Sequence, residues 1–310
     1  MSNLKVLSKS SLLRGNTNPT LNSKYVLDIR ILKILIGCVF LIFLGRGWQF
    51  IFWDAPLRSV LWDESLISPI IGHIFGISWE SYASNPSVEY GIQYTIIGIG
   101  IFLVGSAFVS ILSLLKPEWR WTYYCIAISS FILVILSFLE AKEKFYHIAQ
   151  FFEHSIQFGI PLLLAYVGLF PNKPFSFEIT GKIVVAITFF SHGMYAYGFY
   201  PVPGHFLDMT ISILGISESN ATLFLYIAGI LDFVIAVGIF IPYISKYLLV
   251  YAGIWGLATA LARIVAPFDF EFVPTLLHQH LYQVVYRLPH SILPVLLAYL
   301  LFGKLNSKQK

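Results

Sequence analysis

The sequence predicts an all-α, polytopic membrane protein with about eight transmembrane helices. Of its 310 residues, 57% are hydrophobic and only 12% are charged, whereas soluble domains carry about 25% charged residues. The apolar residues are gathered into long runs, most of which approach or exceed the roughly 20 residues that an α-helix needs to cross a bilayer. A similar order of polar and apolar positions occurs twice along the chain. This recurrence predicts two parallel four-helix repeats with short interfacial outer helices.

The apolar runs, taken in chain order, give the boundaries of the predicted elements. Two long segments, 54–89 and 201–219, are aromatic and punctuated by proline and glycine, so each is expected to hold a short interfacial helix. The predicted spans are 31–53, 90–115, 121–140, 144–170, 181–200, 221–241, 246–266 and 280–303. The predicted units are a basic N-terminal arm over 1–30, a four-helix unit over 31–170, a second over 181–303 and a tail over 304–310.

Charge distribution predicts the orientation of the chain. Lysine and arginine gather on one side of the predicted spans, whereas the acidic residues, Glu140 among them, fall on the other. The positive-inside rule then places both termini in the cytoplasm and the acidic loops outside an inner membrane. The first apolar run reads as an uncleaved span. The basic residues lie at loops and ends, so the charge of +4 does not indicate nucleic-acid binding.

The two halves agree most closely in spans four and eight. Three positions recur without a gap, so that His147, Gln150 and Pro161 match His280, Gln283 and Pro294. Polar residues three or four apart lie on one side of a helix, and in lipid that side must face protein or water. The two predicted stripes are His147, Gln150, His154 and Gln157, and His280, Gln283, Arg287 and His290. We expect these stripes to face each other across a pseudo-twofold axis, with His147 meeting His280 near the outer surface.

Charged residues inside spans are costly and normally pair within the bundle. Asp232 and Arg263 each have small residues on the same helix side, which predicts that both point inward and pair, with His192 as a third member. This triad is interpreted as a catalytic proton relay, as a ligand-binding triad or as a structural ion pair. Arg46 is expected to pair with Glu153 or with an anionic ligand.

The second half contains His192-Gly193, Gly229-Ile-Leu-Asp232 and the stretch from Trp255 to Arg263. In these motifs it resembles the DoxX-like family of bacterial membrane proteins. It implies a four-helix unit and a link to thiosulfate:quinone oxidoreductase or other sulfur and thiol redox systems. The first half departs from the pattern, because Gly100 stands about where Asp232 does and Phe138 about where Arg263 does.

The favoured hypothesis is a redox-linked membrane subunit whose outward-facing polar site takes a quinone-like or other small hydrophobic ligand. The twin stripes, with Arg46 and Glu153, would contact this ligand. A haem is disfavoured, because duplication alone does not make two histidines face each other. No metal site is expected, because His278-Gln-His280 supplies too few ligands. The alternatives are a ligand-free polar interface, a non-catalytic scaffold for partner proteins, and a small-solute transporter. Expected partners are the bilayer and a periplasmic or membrane redox protein.

Overall fold

The structure, a computed structural model, describes residues 28–173 and 176–308, and every regular element in those ranges is helical. The predicted basic arm falls almost entirely outside the described residues. The helices are α1 (Ile29–Phe52), α2 (Arg58–Leu61), α3 (Glu64–Phe75), α4 (Trp79–Ala83), α5 (Pro86–Leu115), α6 (Arg120–Glu143), α7 (Ile148–Phe152), α8 (Ser155–Leu169), α9 (Phe177–Tyr197), α10 (Gly204–Leu214), α11 (Glu218–Gly238), α12 (Pro242–Val265), α13 (Val273–Arg287) and α14 (Pro289–Lys308), with a 3-10 turn at Phe270–Phe272. We call α1–α8 the first half and α9–α14 the second half.

Six of the described elements are long and apolar enough to cross a membrane: α5, α6, α9, α11, α12 and the stretch Phe270–Gly303. The multi-pass helical class is therefore confirmed. The predicted spans 31–53 and 144–170 correspond to α1 and to α7 with α8, which are not among the six. α8 has only 15 residues, too few to cross a bilayer alone. The count of eight spans stays a prediction.

Close glycine contacts set the packing of α1 on α5 and of α9 on α11. A Cβ atom on Gly47 would lie 2.8 Å from the carbonyl oxygen of Gly100. In the second half, a Cβ on Gly193 would lie 3.0 Å from the carbonyl oxygen of Gly229. Small residues allow helix backbones to approach this closely in membranes. The two halves thus begin with helix pairs that meet in the same way.

α8 packs on α6 in the first half, and α14 packs on α12 in the second half. In the first half, the Ser130 hydroxyl of α6 donates to the carbonyl oxygen of Phe158 on α8 at 2.7 Å. In the second half, α12 approaches α14 so closely that a Cβ on Gly256 would lie 2.6 Å from the carbonyl oxygen of His290. The halves meet where α1 packs on α13 and where α9 packs on α7 and α8. Direct contact between α8 and α14 is limited.

Both predicted spans 144–170 and 280–303 are broken, which corrects the prediction of continuous helices. α7 ends before Glu153, and His154 leaves helical backbone values with φ −91° and ψ 6° before α8 begins. α13 ends at Arg287, and α14 begins at Pro289. Leu288 keeps helical backbone values, with φ −49° and ψ −38°. Pro289 has no N–H group to donate to a carbonyl oxygen of the preceding turn, so the helical hydrogen-bond pattern is interrupted there.

The outer segments hold short helices, as predicted: α2, α3 and α4 in the first half and α10 in the second. α3 and α10 both end at a glycine in the left-handed region, Gly76 with φ 65° and Gly215 with φ 63°. Glycine adopts this conformation without steric cost. The Asp63 carboxylate ties the first-half segment to the bundle by accepting from Lys142 Nζ at 2.7 Å.

Candidate functional site

Arg46 lies at the centre of a buried polar network in the first half. Its side chain is 2% exposed. Its Nε donates to Gln157 at 2.8 Å, and its Nη1 donates to Gln49 at 2.7 Å and to Glu140 at 3.1 Å. The Tyr286 ring lies beneath the guanidinium carbon, with 4.1 Å to the ring centroid. Arg46 is therefore surrounded by partners from the protein itself, and Glu140 rather than Glu153 is its acidic partner.

The network continues from Glu140 toward the second half. His154 Nε2 lies 2.8 Å from Glu140 and 3.4 Å from Glu153. Glu153 also accepts from Gln150 at 2.8 Å, and its other oxygen lies 3.6 Å from Nδ1 of His192 on α9. Acids and imidazoles thus alternate along a buried path that crosses from one half to the other at the break between α7 and α8.

A cavity of about 280 Å³ opens in the second half, between α9, α11, α12 and the outer helix α10. We call it the α10 cavity. Its ionisable lining residues are His192, Asp232, Arg263, Arg287 and His290. Its apolar wall includes Phe206, Met209 and Ile213 of α10, with Phe189, Phe224 and Trp255. A mostly apolar pocket with a few convergent polar groups is typical of small-molecule sites.

Four buried polar atoms in this lining have no hydrogen-bond partner in the structure: Oδ1 of Asp232, Nε of Arg263, Nε of Arg287 and Nε2 of His290. Asp232 is 4% exposed and His290 is 5% exposed. Leaving a buried polar atom without a partner costs about 1–3 kcal/mol, and such atoms need an explanation in a folded protein. A bound ligand with polar atoms would supply their partners.

The three residues predicted as catalytic, His192, Asp232 and Arg263, all line the α10 cavity. The expected ion pair between Asp232 and Arg263 does not form among the described residues, since no N–O distance between them is within 4.0 Å. The Asp232 carboxyl instead faces the indole of Trp255. The His192 ring lies 6.2 Å from the His290 ring. The triad is brought together without a direct Asp–Arg contact.

The predicted stripes do not meet as two continuous faces. His147 stacks on Tyr200, with 4.1 Å between ring centroids, rather than on His280. Gln157 is occupied by Arg46, and Gln283 donates to Tyr282 at 3.3 Å. The two stripes lie apart because α8 packs mainly on α6 and α14 packs mainly on α12, whereas α8 and α14 have little contact with each other. Only Arg287 and His290 reach the α10 cavity from the stripes.

Glu140 is the functional residue that the sequence argument missed. It was assigned to the acidic outer loops, but it lies in α6 with a side chain that is 17% exposed and contacts both Arg46 and His154. Its position three residues after the buried Ser137, on the inward side of α6, is the signal that could have identified it. The correspondence between halves also shifts: Gly100 takes the place of Gly229 rather than that of Asp232, so Leu103 stands where Asp232 does.

Comparison of this chain with protein-family models, with curated proteins and with solved structures finds no match. Among the described residues, no three of histidine, cysteine, aspartate and glutamate converge as the ligands of a metal ion would. The α10 cavity presents guanidinium and imidazole groups. Such groups bind oxygen acceptors strongly when they are buried.

Proposed function

We propose that this integral membrane protein binds a small hydrophobic ligand with a polar, hydrogen-bond-accepting head in the α10 cavity. The proposal rests on one observation. Donors that have no hydrogen-bond partner and an apolar wall lie in the same cavity. Arg263 and Arg287 offer N–H groups to the cavity, and Phe206 and Met209 contribute to its apolar wall. A ligand with a carbonyl or other oxygen head on a hydrocarbon body satisfies both.

Each lining residue has a distinct role in this proposal. Arg263 and Arg287 hold the head group, His192 and His290 exchange hydrogen bonds or protons with it, and Asp232 with Trp255 bounds its far side. The Arg46 network and Glu153 lie beside the cavity and fix the position of His192. The remaining stripe residues, His147, Gln150, His154, Gln157, His280 and Gln283, belong to the surrounding framework.

A quinone-like head is one ligand of this class, because its carbonyl oxygens accept hydrogen bonds from arginine and histidine. The resemblance of the second half to DoxX-like proteins favours such a redox link. An inner-membrane location with cytoplasmic termini, and a periplasmic or membrane redox partner, belong to the same proposal. They stay predictions from charge distribution and motif.

Transport of the ligand is a second candidate, favoured by the paired helix breaks. The chain breaks at Glu153–His154 in the first half and at Leu288 in the second, at nearly equivalent places. Discontinuous helices surround the substrate site in many transporters. Flux of a ligand into proteoliposomes would support this role, and binding without flux would exclude it.

Binding is tested through Trp255, which lines the cavity. The brominated alcohol ω-bromooctanol quenches indole fluorescence at short range, and we expect a saturable quenching component that the Trp255→Phe variant lacks. The Ala228→Leu variant keeps the indole but fills cavity space, since Ala228 is a lining residue with 6% exposure. It should lose the saturable component as well.

The matched control is Gly105→Leu, at a position where an added Cβ meets no atom within 4 Å. This variant should quench like the parent protein. Quenching that rises without saturation in all variants would reflect detergent partitioning and would overturn the proposal.

A further inference from the structure

Arg263 and Arg287 differ from the other buried or half-buried arginines in lacking an acidic partner. Arg46 pairs with Glu140 at 3.1 Å, and Arg58 pairs with Glu89 at 2.6 Å. Among the described residues, neither Arg263 nor Arg287 has a carboxylate oxygen within 4.0 Å. Charges in a membrane interior normally pair, because an unpaired one is costly. Two guanidinium groups without a carboxylate partner in one cavity therefore point to a negatively charged ligand.

The acids nearest the α10 cavity do not supply that charge. Asp232 lines the cavity but faces Trp255. Glu153 is already in contact with Gln150, His154 and His192. The cavity lining thus contains two guanidinium groups and one carboxyl group, which leaves it with an excess of positive charge.

His290 also presents a ring nitrogen to the cavity. Its Nδ1 lies 3.1 Å from the carbonyl oxygen of Arg287 and donates to it, so Nε2 has no partner. Nε2 is an acceptor in the neutral ring and a donor only in the protonated ring. The two arginines, rather than His290, therefore determine the preference for an anion.

The rest of the cavity wall is mostly apolar, which favours a hydrocarbon body behind the head group of the ligand. Phe206, Met209 and Ile213 of α10 and Phe224 of α11 line the cavity. α10 contacts the bundle through α11 and α12 and is fastened by one hydrogen bond, from Ser212 to the carbonyl oxygen of Ala266 at 2.8 Å. A hydrocarbon chain next to the arginines would bury its surface against these side chains.

We infer that the ligand is a single-chain amphiphile with an oxyanion head, held between Arg263 and Arg287 with its chain beneath α10. This inference rests on the proposed function. It narrows the head group of the ligand from any hydrogen-bond acceptor to an anion. A carboxylate and a phosphate monoester share this chemistry. The experiment therefore carries both heads on the same alkyl chain.

The experiment measures saturable Trp255 quenching by ω-bromooctanoate, ω-bromooctyl phosphate and neutral ω-bromooctanol at pH 8. We expect at least one anion to bind about tenfold more tightly than the alcohol, since charge-assisted hydrogen bonds are about twice as strong as neutral ones. The better anion identifies the head group. Arg263→Gln and Arg287→Gln should each weaken its binding about tenfold and weaken binding of the alcohol much less, so that the preference for the anion falls.

Two further variants keep the result interpretable. Arg263→Lys retains the charge and should retain much of the preference, which excludes a folding defect as the cause. Arg120→Gln removes one positive charge at the start of α6, where Arg120 donates to the Leu169 carbonyl oxygen. It should change no affinity. Equal saturable binding of all three compounds would overturn the anionic head but keep the proposed function, whereas no saturable quenching would overturn both.

Discussion

The Glu153 carboxylate lies 3.6 Å from Nδ1 of His192 and joins the two halves of the protein at a helix break. Glu153 belongs to the break between α7 and α8, where Gln150 and His154 also contact it. His192 in turn lines the α10 cavity. The first half therefore sets the position and electrostatic environment of a cavity residue of the second.

The first prediction concerns the charge of Glu153. Glu153→Gln keeps a hydrogen-bonding side chain but removes a negative charge near the cavity arginines. We expect binding of ω-bromooctanoate to strengthen by about threefold or more, because Coulomb attraction to an anion is then less opposed. Binding of ω-bromooctanol should not change, and Glu80→Gln on the exposed helix α4 is the control. An equal change for both compounds would show that Glu153 acts only on structure.

The second prediction concerns the Arg46–Glu140 pair. Glu140→Leu leaves the Arg46 guanidinium buried without its acid, which typically costs about 3–5 kcal/mol. Thermal unfolding in detergent should show a clear loss, while Glu143→Leu, at an exposed position of the same helix, should show little. The double variant Arg46→Leu/Glu140→Leu should recover part of the loss, because it removes both charges. A loss below about 1 kcal/mol for Glu140→Leu would contradict a structural role for the pair.

The third prediction uses the glycine contacts. Gly100→Ala and Gly229→Ala would place a Cβ atom 2.8 Å from the Phe50 Cβ atom and 2.5 Å from the Tyr197 backbone nitrogen, respectively. Overpacking of this kind costs about 1–3 kcal/mol. Gly105→Ala has open space around its Cβ and should not destabilise the protein. Equal melting temperatures for all three variants would show that the two helix pairs do not depend on this close approach.

The fourth prediction concerns pH. The hydrogen bond from Lys142, with a further one from Ser65, lowers the pKa of Asp63 from 3.8 to about 2. Because the native pKa is the lower one, the stabilisation by this pair is complete above about pH 4 and is lost as pH falls through 2. Carbon-13 NMR of labelled aspartate, with Asp63→Asn for assignment, measures the midpoint. A midpoint near 3.8 would mean that the pair does not hold the outer segment to α6.

Much of the fold follows from the sequence because lipid imposes simple rules on it. The long apolar runs predicted α5, α6, α9, α11 and α12 to within a few residues, since an apolar run must be helical to satisfy its backbone in a bilayer. The helix breaks were not predicted. The interruption at Leu288 follows from Pro289, which has no N–H group, whereas no proline or glycine stands next to His154 to mark the break there.

The sequence predicted that three charged or titratable residues point into the bundle, but it did not predict how they are arranged there. His192, Asp232 and Arg263 were identified because charged residues in spans point into the bundle, and all three line the α10 cavity. The prediction that Asp232 pairs directly with Arg263 was wrong. The distance between side chains of α11 and α12 depends on how the two helices pack, which the sequence pattern does not contain. Glu140 was missed because it stands at the end of an apolar run, where sequence alone does not distinguish a loop acid from a buried one.

The position of α10 also determines how a ligand would arrive. Ile213 and Leu214 of this helix are 41% and 48% exposed, and an amphipathic helix with an exposed apolar side lies in the headgroup region of a bilayer. A chain-bearing molecule would then enter sideways from the acyl phase rather than from bulk water. Occupancy would follow the mole fraction of the amphiphile in the bilayer, so homologues of increasing chain length should saturate the protein at falling total concentrations.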